Sequence, residues 1–240
     1  MRKGKIVKGT LLLVFLVLTG SCMPQFFHRN KGKSISHGSP GKGSLENGYL
    51  IDYRLKNAKY FSLTSYYILG NGYLNSKVYH TLKDAYAACE KTCPERKFYY
   101  MECSSRKGGK QLVHRTHRNG MSVDFMVPLK KGNRPATFYD HWGIWHYLLN
   151  FDSSGKLILN SNVEIDFETM AKHILALDNA AKKQGLRIKK VILKINLKDD
   201  FYRSPTGKEI KKRGIYFALA LSPVVDKLHD DHYHIDFALR

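Results

Sequence analysis

The segment His229-Asp230-Asp231-His232-Tyr233-His234-Ile235-Asp236-Phe237 constrains this chain more than any other. From His232 onward, ionisable and apolar residues alternate, and only an extended strand sorts such a pattern onto two chemically distinct faces. His232, His234 and Asp236 fall on one face, with Tyr233, Ile235 and Phe237 on the other. The apolar face demands a core beneath it. The polar face suits a metal ion, because neutral imidazole is a common ligand and a nearby carboxylate can orient each ring. A solvated polar edge is the competing reading, and so dense a cluster of His and Asp argues against it.

A second cluster surrounds Asn119-Gly120, a strong two-residue hairpin signal flanked by alternating residues. Such a hairpin pairs Arg118 with Met121 and sets His117 opposite Ser122, with Asp124 further along the second strand. Ser122 and Asp124 then point with His117, while Val123 and Phe125 turn to the core. His117 and Asp124 become a diagonal cross-strand pair within reach of one ion. The plainer alternative is a loop histidine and a solvated aspartate. With His234 the pair offers two nitrogens and one oxygen. That leaves a fourth tetrahedral position for water, the ligand count of catalytic rather than structural zinc.

Around these clusters the pattern predicts an α+β domain: a small, largely antiparallel sheet carrying the zinc site, flanked by helices. A helix is expected over 81–90, capped by Thr81, with Leu82, Ala85, Tyr86 and Cys89 on one face and Pro94 closing it. A strand is expected over 97–103. Asp166 caps the longest helix, whose apolar stripe is Phe167, Met170, Ala171, Ile174, Leu177 and Ala181, with Gly185 as its stop. Alternation predicts another strand over 191–197, and 142–149 reads as a helix or a cleft wall.

Forty Lys and Arg against twenty Asp and Glu leave a formal charge of +20, which suits an anionic polymer, an anionic membrane surface or a nucleic acid. The N-terminal residues narrow the choice. Arg2, Lys3, Lys5 and Lys8 precede an apolar stretch at 11–18 and then small residues, the pattern of a secretory signal. Leu18-Thr19-Gly20-Ser21-Cys22 resembles a bacterial lipobox. The resemblance implies a signal peptide over 1–21, lipidation of Cys22, and an exported protein anchored to a membrane and facing the periplasm. Residues 22–44, rich in Gly, Ser and Lys, read as a flexible tether, and 45–240 as one domain. Of the remaining cysteines, Cys103 is expected to bridge either Cys89 or Cys93, which are themselves poorly placed to bridge each other on one helix.

His117 and Asp124 with six residues between them, followed far downstream by Asp231-His232-Tyr233-His234, resemble the zinc peptidases that cut D-amino-acid bonds in bacterial cell walls. That superfamily spans lysostaphin-type, D-Ala-D-Ala and hedgehog-like members, and the closest resemblance is to the penicillin-insensitive murein endopeptidases. Their pattern has a histidine three residues before the first ligand, matched by His114, and another five before the last, matched by His229. The resemblance covers roughly 99–237. It implies His117, Asp124 and His234 as zinc ligands, His232 as a catalytic side chain, and supporting or substrate-contact roles for His114 and His229. Ser122 stands where many of those enzymes carry aspartate, and Arg118 replaces a glutamine.

The activity that this resemblance implies is hydrolysis of D-alanyl-diaminopimelate cross-links in peptidoglycan, with Asp231 and His232 both candidates for proton transfer. Two alternatives share the zinc site, a D-Ala-D-Ala carboxypeptidase and a cell-wall-binding protein without catalysis. His232-Tyr233-His234 also fits the His-hydrophobic-His pattern of nucleases that use a tyrosine nucleophile. No tyrosine follows His234, and an exported chain does not meet chromosomal DNA, so no nucleic-acid partner is expected. The expected partners are peptidoglycan and a membrane reached through Cys22.

Overall fold

The structure is a computed structural model and describes residues 25–111 and 116–240. The signal segment, Cys22 and His114 lie outside the described residues.

Strands β1 (Ile35–Ser39) and β2 (Lys42–Glu46) form an antiparallel hairpin, and β3 (Tyr49–Leu50) pairs with β5 (Tyr73–Leu74). The main sheet is built from β4 (Ala58–Tyr60), β6 (Phe98–Tyr100), β7 (Ser122–Met126), β12 (Leu186–Ile192) and β13 (His232–Leu239), in the order β12-β13-β7-β6-β4. All its pairings are antiparallel except β4 with β6. A smaller antiparallel sheet contains β8 (Leu129–Lys131), β9 (Arg134–Pro135), β10 (Lys156–Leu157) and β11 (Asn160–Ile165). Helices α1 (Ser76–Thr92) and α2 (Phe167–Lys183) pack on each other, and α2 lies against β12. The fold is α+β.

The alternation in β13 does what it demands. Tyr233, Ile235 and Phe237 are fully or almost fully buried with Val123 and Phe125 of β7. Phe125 stacks on Tyr233 at 5.4 Å, and His173 of α2 lies between Tyr86 and Phe98, 4.9 Å from each ring. The polar face is buried as well, and β13 sits between β12 and β7 rather than at an edge. The solvated-edge reading is therefore wrong.

Several boundaries move. The stretch read as a tether, 22–44, holds β1 and the start of β2. Pro40-Gly41 is their turn, and its polar composition hid that turn signal. The hairpin's hydroxyls are used: Ser36 Oγ donates to Asn119 O at 2.7 Å and accepts from Asn75 Nδ2 at 2.9 Å. Helix α1 starts before Thr81, because Asn75 Oδ1 accepts the Lys77 N–H at 3.0 Å as the cap, while Thr81 Oγ1 bonds back to Lys77 O. Asp166 caps α2 as expected, accepting from Thr169 N at 3.0 Å, and Gly185 ends it in the left-handed conformation at φ 68°. Strand β12 lies earlier than expected and gives way to a 3-10 turn at Ile195–Leu197. Gly143–Leu148 is a 3-10 helix.

The expected disulfide does not form. Cys89, Cys93 and Cys103 are all free and buried, and burial pushes the Cys89 thiol up to about 12. Among the described residues, no helix is long and apolar enough to cross a membrane.

Candidate metal centre

Strands β7 and β13 set His234 directly opposite Asp124 and Asp236 directly opposite Ser122. Residues in such register share a face, so Asp124 and His234 are a direct cross-strand pair, with His234 Nδ1 2.7 Å from Asp124 Oδ1. His117 reaches the same place by another route. Asn119-Gly120 does turn, with Gly120 at φ 72°, but the residues before it are no hairpin partner of β7, whose neighbours are β13 and β6. His117 instead arrives from the preceding loop in the left-handed conformation, φ 67°, which is costly for a residue with a Cβ. Its Nδ1–H donates to Ser122 O at 3.2 Å, which turns Nε2 towards Asp124 Oδ2, 3.1 Å away. The rings of His117 and His234 meet edge-on at 4.8 Å.

His117, Asp124 and His234 thus form one buried group whose ligand atoms lie within 4.8 Å of one another. Two imidazole nitrogens and a carboxylate oxygen suit a divalent metal ion, and the group can hold one. Burial opposes a charge on Asp124, yet His117 and His234 outweigh it and hold the carboxyl well below its usual range.

A layer behind the ligands fixes them. His234 Nε2 is 2.8 Å from Asp236 Oδ1, which accepts from Ser122 Oγ at 2.6 Å, while Asp236 Oδ2 meets Lys190 Nζ at 3.0 Å. Lys190 lies directly across from Asp236 on β12. One carboxylate is therefore clamped from both flanking strands and orients one ligand imidazole. Asp236 was legible as a face-sharing residue through its period-two spacing from His234. The bond from Ser122 to Asp236, and the part played by Lys190, needed the strand register to be found.

His232 precedes the ligand on the same face, and its Nδ1 makes a short hydrogen bond with Asp231. Burial disfavours the imidazolium, but the charge and hydrogen bond of Asp231 prevail and raise the His232 pKa. His146 stands between Tyr139 O and Asp231 O, at 3.2 and 3.1 Å, tying the 3-10 helix to this corner. His229 lies alongside, its ring 4.8 Å from that of His232 and 6.4 Å from that of His234, with Nδ1 2.6 Å from Val225 O. Burial, helped by the charge of His232, pushes its pKa down to about 3. His117, Asp124, Asp231, His232, His234 and His229 are thus brought together. Scans of the chain against protein-family models and against curated proteins return no match.

Proposed function

We propose that this chain is an exported zinc peptidase that hydrolyses stem-peptide cross-links of peptidoglycan, at the D-alanyl-diaminopimelate bond. The observation that carries the reading is the juxtaposition of the buried His117-Asp124-His234 group with the Asp231-His232 pair. Three ligands suit zinc with a coordination position left for exchange. Bound zinc supplies Lewis acidity towards a scissile carbonyl and acidifies water. The chain's own groups supply the rest. Asp231 holds His232 through Nδ1, so the ring exchanges its proton at Nε2. Neutral, it accepts the proton that the attacking water loses; protonated, it stabilises developing negative charge and then passes that proton to the leaving amine. The signal-like residues 2–18, the lipobox resemblance ending at Cys22 and the charge of +20 support a lipid-anchored place beside an anionic wall.

The test is mass spectrometry of muropeptides after digestion with zinc-loaded protein. Cross-linked dimers should become monomers, a chelator should stop the reaction, and β-lactams that acylate serine should not. His232→Ala should slow turnover roughly 10²–10⁴-fold with zinc content unchanged. Release of terminal D-alanine alone would move the reading to a carboxypeptidase. Unaltered muropeptides with zinc fully loaded would sink the enzyme and favour a wall-binding protein.

A further inference from the structure

Glu102 stands beside the metal cluster without belonging to it. Met101 N donates to Asp124 O at 2.7 Å, and Asp124 N donates to Glu102 O at 3.0 Å. Two residues just past β6 therefore oppose one residue of β7, which is a β-bulge, a feature that re-aims side chains at sites. The Glu102 side chain is buried, within electrostatic reach of Asp124 and His232. Ser65 Oγ donates to Oε1 at 2.9 Å, and the Asn71 side chain lies near the carboxyl. Oε2 is nevertheless buried with no hydrogen-bond partner among the described residues.

Tyr147 approaches from the other side. It comes from the 3-10 helix Gly143–Leu148, and its ring meets His232 edge-on at 5.5 Å. Its hydroxyl interacts electrostatically with Glu102, Asp124 and Asp231, and it too is buried with no partner among the described residues. Folded proteins pair nearly all such atoms, since leaving one unpaired and dry is costly. Here an acceptor and a hydroxyl are both left over, within electrostatic reach of each other, and His232 interacts with both. Their chemistry complements a peptide group, which offers one N–H and one carbonyl.

We propose that Glu102 Oε2 and Tyr147 Oη bind the substrate's peptide backbone beside the metal centre, Glu102 accepting a substrate N–H and Tyr147 donating to a substrate carbonyl. The inference rests on the peptidase reading and names the groups that hold its substrate. Both are binding groups; neither belongs to the metal-ligand group.

The experiment compares wild type, Tyr147→Phe and Glu102→Gln, both substitutions preserving shape. Zinc content, Tm, kcat and KM on cross-linked muropeptide dimers are measured. Calorimetric binding of the same dimers to metal-free protein gives a readout independent of turnover. Each variant should raise KM and weaken dimer binding roughly tenfold, the worth of a lost buried hydrogen bond. The kcat should stay within about threefold, and zinc content should not change. Tyr147→Phe should keep or raise Tm, because it removes a buried polar atom that has nothing to bond in the free protein. Unchanged KM and binding in variants of an active wild type would overturn this assignment and leave the peptidase reading standing. A lower Tm with unchanged KM would also overturn it, making the two groups structural. A zinc-loaded wild type that neither binds nor cleaves dimers would overturn both.

Discussion

Asp236 links His234 to two neighbouring strands at once, through Ser122 Oγ and Lys190 Nζ. An imidazole has two nitrogens and one proton to place when neutral, so whatever holds Nε2 decides what Nδ1 can offer a metal. Asp236→Asn keeps the shape but presents an amide that can face His234 with either end. Zinc affinity should fall roughly 10–100-fold, the usual worth of such an orienting partner, measured by competition with a chromogenic chelator. Affinity equal to wild type would show that the clamp is dispensable. Ser122→Ala removes only one of the clamp's hydrogen bonds and should have a smaller effect in the same assay. Asp124 and His234 were readable from local alternation, whereas His117 was placed with them through a hairpin that does not form. The clamp was not readable, because nothing within the stretch around Lys190 says that it faces Asp236.

The Asn119-Gly120 turn joins three elements. Gly120 O accepts the N–H of Asn75, the cap of α1, at 2.9 Å, and Asn119 O accepts from Ser36 on β1 at 2.7 Å. A Cβ on Gly120 would lie 2.7 Å from Asn75 N and 2.8 Å from Leu45 Cδ2, in a backbone conformation at φ 72° that side chains resist. Gly120→Ala should therefore cost roughly 1–3 kcal/mol in urea unfolding. It should also weaken zinc binding by shifting the loop that brings in His117. The sequence pattern named this turn correctly but assigned it the wrong partner strand. Turn and cap chemistry act over a few residues, which is why Asp166 could be read as the α2 cap. The true partners of β7 are β13 and β6, and Asp124 and His234 are 110 residues apart, beyond the range of any local rule. The same limit explains the missed β1–β2 hairpin, whose polar residues find their hydrogen bonds on distant loops.

Across the whole molecule, α1, α2 and the main sheet share one core, with His173 inside it. Its Nδ1 is 2.5 Å from the Tyr233 hydroxyl, and burial drives its pKa down to about 3. In the unfolded chain it titrates near 6.5. Below that pH the unfolded state binds a proton that the native state refuses, so this contribution to stability is complete above about 6.5 and is lost as pH falls towards 3. The slope approaches about 1.4 kcal/mol per pH unit for one such group. Urea unfolding at pH 7 and pH 5 should show a pH dependence smaller by about one proton in His173→Leu than in wild type. An identical pH dependence in the two proteins would mean that His173 is not the group responsible.

The face-to-face pairing of Asp124 with His234 also gives the fold a means of proofreading. Slipping β13 by one residue against β7 exchanges its faces and sets Tyr233 or Ile235 where the imidazole belongs. The ligands meet only after a long loop has closed, late in a search that non-local pairings make slow. A chain still being made carries His117 and Asp124 well before His234 exists to join them. A metal ion held there would therefore favour the native register over a one-residue slip, which leaves only His117 and Asp124 at the site.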